Sequence, residues 1–193
     1  MGTTGRPRMP IRGRGVNDAP YITTSTEHGR CPYYAKWLNM FTRCYSKAYK
    51  SHFPTYNGCE VSEEWYSFMA FREWMEDQDW EGKQLDKDII SNNGKLYSPD
   101  NCAFVTLRTN SFILDGVGRS LDGFVGCHWV PRHNRYYVQI GNPFTGKTEN
   151  LGFADSKEEG HALWKIRKHE ISCLLAEEES DSRVVEALRT RYL

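Results

Sequence analysis

KQLDKDIISNNGKLYSPDNCAFVTLRTNSFIL, residues 83–114, is the stretch on which the fold class turns. Lys83–Ile90 reads as a strand. Ser91-Asn92-Asn93-Gly94 reads as a turn, because short polar side chains and glycine tolerate the backbone angles of chain reversal. Ser98-Pro99-Asp100-Asn101 starts a brief turn or helix, Ala103–Thr106 a second strand, and Leu107–Leu114 a helix. Strand, turn, strand and helix in this order make a ββα unit.

Upstream, Pro32 opens a helical pattern in which Trp37, Met40, Phe41, Cys44 and Tyr45 share one face. Pro54 and Asn57-Gly58 break it, and Cys59–Val61 reads as a short strand. Ser62 is placed to cap a second helix, with Glu63 and Glu64 in the first turn, where the helix dipole favours acids. Trp65, Phe68, Phe71 and Met75 give that helix a broad apolar face, which reads as core. Residues 1–30 have no apolar period, and Arg6, Arg8, Arg12 and Arg14 have no acids near them. They read as a basic extended arm able to lie along phosphates or in a minor groove, or as a plain tail.

Downstream, Phe124–Val130, Arg135–Ile140 and Thr148–Phe153 read as three short strands. Turns at Pro131–Asn134 and Asn142–Gly146 separate them. Asp155 or Ser156 caps a long helix reaching Leu175. Its face Ala162, Ile166 and Cys173 is expected to cover the sheet, leaving Trp164, Ile171 and Leu175 elsewhere. Residues 176–193 read as a charged tail with a short terminal helix.

The composition narrows the function classes. An aromatic content of 13% supplies apolar surface for a folded middle. No apolar run approaches the roughly 18–20 residues of a spanning helix, and Met1–Gly15 lacks the apolar stretch of a secretory signal. The expected setting is therefore cytoplasmic, the host cytoplasm for a phage-encoded chain. The six cysteines include no C-x-x-C pair. They read as small buried thiols of a reducing compartment, with a zinc site from Cys31, Cys44, Cys59 and Cys102 as the alternative.

The 25 basic and 25 acidic residues cancel overall, yet their distribution is uneven. Residues 1–60 hold nine Lys/Arg against three Asp/Glu, and residues 61–100 hold four against ten. A basic front suggests phosphate contacts, and an acidic middle suggests a cation site or a solvated helix face.

With these residues in view, Leu85-Asp86-Lys87-Asp88-Ile89, Tyr97–Val105 and Asn110 resemble the HNH endonuclease superfamily, specifically the phage homing endonucleases. YAKWLNMFTRCY and CEVSEEWYSFMAFREW resemble the same proteins, so the likeness covers residues 31–115. It implies a single Mg2+ or Mn2+ ion that binds the scissile phosphate and stabilises charge on the leaving oxygen. Asp86 and Asn110 match the metal-ligand positions, and their hard oxygens suit magnesium better than zinc. Asn101 matches the loop asparagine that braces the hairpin. The general-base histidine of the family is replaced by Lys87, and His28, His52, His128, His133, His161 and His169 all lie outside the unit. A protonated ammonium cannot accept a proton. Lys87 is left to hold phosphate, with Asp88 or His52 as substitute bases.

Gly126–Trp129, Arg135–Ile140, Leu151-Gly152-Phe153 and Lys157–Ala162 resemble the plant ethylene-response-factor (APETALA-type) DNA-binding domain, across residues 122–172. That likeness implies three strands lying in a major groove with the helix behind. Alternation independently sends Tyr136, Val138 and Ile140 toward the helix and Arg135, Tyr137 and Gln139 away from it. His128 and Asn150 join the outer face, and Arg132 and Lys147 sit in the turns. These side chains are donors able to read bases and hold phosphates. His128 and Asn150 stand where Arg and Trp are common in the plant domain, which puts its target sequence, though not its docking mode, in doubt.

The fold expectation is α+β: a ββα-metal module with flanking helices, then a three-stranded antiparallel sheet on one helix. The expected divisions are a 1–30 arm, a 31–117 nuclease module, a 118–175 DNA-binding domain and a 176–193 tail. The leading functional expectation is a magnesium-dependent endonuclease or nickase acting on double-stranded DNA. One alternative is a non-cutting DNA-binding regulator on the same scaffold. Another is a protein-interaction factor using Trp164, Ile171 and Leu175 against a host or phage enzyme.

Overall fold

The computed structural model describes residues 9–27, 29–91, 94–114 and 124–193. Arg6 and Arg8 lie outside the described residues, as do Asn92 and Asn93 of the Ser91–Gly94 turn. The chain is α+β and divides into two compact units, residues 1–104 and 105–193. The boundary falls inside the expected nuclease module, ahead of its final helix, and not near residue 117.

The first unit opens with β1 (Thr24–Ser25) and β2 (Gly29–Arg30), an antiparallel pair, followed by α1 (Pro32–Tyr45) and α2 (Lys47–His52). Next come β3 (Glu60–Val61), α3 (Phe68–Glu76), β4 (Gln84–Asp86), α4 (Asp88–Ser91), β5 (Leu96–Tyr97) and β6 (Ala103–Val105). Strand β3 runs parallel to β5, and β4 pairs with β6. Pro32 starts α1 as expected, and Tyr34, Trp37, Met40, Phe41 and Cys44 are its buried face. Trp37 Nε1 donates to Trp65 O at 2.8 Å, so this buried ring leaves no donor unmet.

Three expectations are corrected in this unit. The second helix is capped by Ser67, whose Oγ accepts from Ala70 N at 3.0 Å, while Glu63–Tyr66 after Ser62 is a 3-10 turn. The first ββα strand ends at Asp86 and does not continue to Ile90, because the chain turns helical there. Residues 9–19 are pinned and not an extended arm. Val16 bonds Tyr66 O and accepts from Phe68 N, and Asp18 accepts from Ser67 Oγ (2.6 Å) and Met69 N (2.9 Å). Gly15 is required in that path: a Cβ would lie 2.8 Å from the Trp37 and Phe41 rings.

The second unit contains α5 (Leu107–Phe112), β7 (Cys127–Val130), β8 (Arg135–Gly141), β9 (Thr148–Ala154), α6 (Lys157–Ala176) and α7 (Ser182–Thr190). The strands form an antiparallel sheet in the order β7-β8-β9. Ser156 caps α6 through Glu159 N. Val138, Ile140 and Ala154 form the buried sheet face. Helix α6 reaches that face at Gly160, where a Cβ would lie 2.9 Å from Cys127 Cβ and 3.3 Å from Val138 Cγ2.

That approach rotates α6 relative to expectation. Trp164, Lys168, Ile171 and Leu175 are buried, whereas Ala162 is exposed and Ile166 is 60% exposed. Helix α7, capped by Asp181, buries Val184 and Leu188, and Leu188 O accepts from Ser172 Oγ at 2.7 Å. The C-terminal segment is thus part of the packed unit. Among the described residues no helix is long and apolar enough to cross a membrane.

Two outcomes test this packing. Gly126 has φ +86°, and a Cβ there would lie 2.1 Å from Trp164 Cδ1. Gly126→Ala is expected to cost about 2 kcal/mol or more in urea unfolding, from overpacking plus backbone strain. Glu149 on β9 is held by Arg167 of α6 (Nε–Oε2 2.7 Å) and by Asn142. The Arg167 bond, with that from Asn142, lowers its carboxyl from 4.5 to about 2. A lowered carboxyl pKa gives stability that is present above the ordinary value and is lost as pH falls through the folded value. The melting-temperature gap between wild type and Glu149→Gln should therefore shrink on acidification from pH 4.5 toward about 2.

Candidate functional site

Two places gather the expected residues, one in each unit. In the second unit the site is the outer face of the sheet. The β7–β8 register sets His128 opposite Tyr137, and the β8–β9 register sets Tyr137 opposite Phe153 and Gln139 opposite Asn150. Cross-strand partners share a face, so His128, Tyr137 and Phe153 form one row and Gln139 and Asn150 the next. The rings pack at 5.5 Å (His128–Tyr137) and 5.4 Å (Tyr137–Phe153) between centroids.

His133 extends this row, 4.9 Å from Phe153, and bonds Arg132 at 3.3 Å between nitrogens. It sits on the 3-10 turn Pro131–His133, which ends at Asn134 with φ +49°. Arg135 lies on the outer face with its Nε 2.6 Å from Asp155 Oδ1. Lys147 is exposed in the β8–β9 turn. Asn150 Oδ1 is engaged, accepting from Gly152 N at 2.8 Å.

Sequence reasoning missed His133 and Phe153. Between Val138/Gln139 and Gly152/Asn150 the register slips by one residue, a β-bulge with Gly152 at φ +102°. An extra residue inverts the alternation, so Phe153 joins the outer face, where strict counting from Asn150 sends it inward. The Asn-Leu-Gly sequence was the available signal, since an isolated glycine inside a strand marks a bulge.

In the first unit the candidate centre is the loop from β4 into α4. Asp86 Oδ1 accepts from Asp88 N (2.8 Å) and Ile89 N (2.7 Å), a side-chain cap that ends the strand. Burial raises the Asp86 carboxyl above its ordinary value, against the lowering effect of those two bonds. Lys87 is 4% exposed, its Nζ bonded to Asp88 Oδ1 and lying 5.8 Å from the Tyr97 ring centroid. Asn101 Nδ2 reaches Leu96 O at 3.4 Å and its N–H reaches Ser98 Oγ, which braces the β5–β6 connection. His52 is bonded at Nδ1 to Ala48 O within its own helix.

Asn110 lies on α5 in the second unit, its N–H bonded to Thr106 O. Within the first unit, then, Asp86 offers one oxygen beyond its cap, and Asp88 is committed to Lys87. Magnesium takes only one or two protein carboxylates and keeps water on its other positions, so the misfit lies in the Lys87 ammonium beside the one oxygen left, not in the count of oxygens. Among the described residues no group of three His, Cys, Asp or Glu side chains could hold a metal.

The four thiols of the zinc alternative lie in or against the core of the first unit. Cys44, Cys59 and Cys102 are buried free thiols. Burial pushes the Cys44 thiol up to about 12 and Cys102 upward as well. Of the basic N-terminal residues, Arg12 is exposed in a tight turn at φ +53°, and Arg14 donates to Tyr66 Oη at 2.7 Å. The expected interaction face is also corrected: Trp164, Ile171 and Leu175 are buried within the second unit.

No protein family, curated protein or solved structure matches the chain.

The cap predicts how variants of Asp86 behave in the absence of any ligand. Asp86→Ala removes the acceptor of two N–H groups and should cost about 1 kcal/mol or more. Asp86→Asn retains an acceptor oxygen and should stay within about 1 kcal/mol of wild type by chemical denaturation.

Proposed function

We propose that the chain binds double-stranded DNA through the outer face of its three-stranded sheet, on a scaffold of HNH homing-endonuclease design, as a non-cutting binder. The carrying observation is the composition and order of that face. His128, Arg132, His133, Arg135 and Gln139 offer donors beside a row of rings, on rigid strands and the turn between them. Donors of this kind hold phosphates and read base edges, and a twisted sheet of this width fits a major groove. Arg135 is already aimed by Asp155, an exposed ion pair of the weakly stabilising sort that a phosphate can displace. Arg12, exposed in a tight turn of the first unit, is a separate candidate for phosphate contact.

The second reading is an HNH-type endonuclease or nickase hydrolysing phosphodiester bonds with one magnesium or manganese ion. The pairing of β4 with β6 and the free oxygen of Asp86 favour it. The commitment of Lys87 to Asp88 opposes it, because the position of the general base is filled by a buried ammonium. No step is routed through the ion.

Two assays on the full chain separate the readings. Gel-shift titration against duplex DNA should show salt-dependent binding. Arg135→Ala or Gln139→Ala should weaken it by roughly five- to a hundredfold, while Asp155→Asn, which frees the guanidinium, should tighten it several-fold. Unchanged affinity in both Arg135→Ala and Gln139→Ala would remove the sheet from the interface. Supercoiled plasmid with magnesium or manganese should stay uncut. Nicking that is lost in Asp86→Asn, a variant that folds, would establish the nuclease reading instead.

A further inference from the structure

We propose that the Lys87 ammonium is a built-in cation for the Asp86–Asp88 loop, so that this centre is charge-compensated by the chain itself and takes no divalent metal ion. Four observations converge on it. Lys87 is 4% exposed, so its ammonium has exchanged water for protein partners and requires a fixed anion. That anion is Asp88, whose Oδ1 bonds Nζ directly. The Tyr97 ring, itself buried, walls the other side at 5.8 Å from Nζ to its centroid and provides the negative face of an aromatic quadrupole.

The fourth observation is Arg43, a second cation in the same neighbourhood. Its guanidinium bonds the Tyr97 side chain and lies 5.8 Å from the Tyr56 ring centroid. Asp88 is compensated by Lys87, and the same ammonium acts on the Asp86 carboxylate. A divalent ion on the remaining Asp86 oxygen would sit against a buried ammonium whose stem is closed in by protein, and like charges at that range repel strongly.

Tyr97 comes from β5, so the ammonium also links that strand to the β4–α4 turn, while Arg43 of α1 holds the Tyr97 side chain from another segment. This assigns Lys87 a role as a cation substitute that organises the loop, and not as a phosphate ligand facing solvent. The inference concerns metal occupancy alone and holds whether or not the sheet binds DNA.

The test uses full-length protein and manganese without nucleic acid, read by calorimetric titration and by melting temperature. Wild type should show no manganese binding that is sensitive to Asp86→Asn. Lys87→Ala, which leaves Asp86 and Asp88 without their cation, should melt lower than wild type. It should bind manganese on the order of tenfold or more tightly than wild type does, with the melting temperature recovering as metal is added. That recovery should vanish in the double variant Lys87→Ala/Asp86→Asn.

Manganese binding by wild type that weakens tenfold or more in Asp86→Asn would overturn the proposal. So would a Lys87→Ala protein with unaltered melting temperature and no response to metal. Should Lys87→Ala fail to fold, the wild-type titration against Asp86→Asn decides alone.

Discussion

Oδ1 of Asp86 takes the N–H groups of both Asp88 and Ile89, and the centre of the first unit depends on that double acceptance. Two orphan donors at the start of a short helix are satisfied at once, so strand β4 stops after three residues and α4 begins. The reversal turns Lys87 inward, next to Asp88 and the Tyr97 ring. Tyr97 is itself fixed by the parallel pairing of β5 with β3, whose register joins Val61 to Tyr97. A carboxylate that would serve as a metal ligand in a catalytic centre is here first a backbone cap. A lysine that would face phosphate is first a buried counter-charge. Local hydrogen bonding holds both groups.

The second unit rests on a different constraint, the closeness of α6 to the sheet. Glycines at 126 and 160 remove the atoms that would hold the two apart, and Trp164 fills the resulting contact from the helix side. Once α6 covers Val138, Ile140 and Ala154, the opposite face has no apolar layer to meet and is left to polar and aromatic side chains. Arg167 and Glu149 fasten the helix to the far strand. Lys168 reaches Phe112 O, lying 3.7 Å from that ring's centroid, which docks α5 into the same unit. The face available for recognition is therefore fixed by packing on the other side of a single layer of strands.

Much of this was legible in the sequence where periodicity and end signals agree. Helix α1 with Pro32 at its start, the three strands with their turns, and α6 with its Ser156 cap all follow from such patterns. What escaped was governed by small residues and side-chain-to-backbone bonds. The buried face of α6 begins at a glycine, which carries no hydrophobic weight, so an apolar count chose Ala162 and Ile166 instead. Ser62 and Ser67 look alike as caps, and only Asp18, nearly fifty residues earlier in the chain, decides for Ser67 by bonding its hydroxyl and the following turn. The outer face was foreseen for His128, Arg135, Tyr137 and Gln139, but its aromatic row was not, because one inserted residue inverts the count on β9. In the ββα stretch the commitment of Asp86 to the cap, and of Lys87 and Asp88 to an ion pair, left no periodic trace in the sequence.

That inserted residue also bears on how such a surface can change over time. On a strand with strict alternation, replacing what the sheet displays takes a separate substitution at every second position. On β9 the bulge at Asn150-Leu151-Gly152 works as a phase shifter. Straightening the strand there, with a side chain at 152 that does not take the φ of +102°, would exchange the displayed and hidden side chains of everything beyond it, Phe153 and Ala154 included, while the residues before it kept their places. Losing Leu151 as well would restore the present faces on an unbulged strand. The display of this sheet is thus open to revision by backbone conformation as well as by side-chain identity.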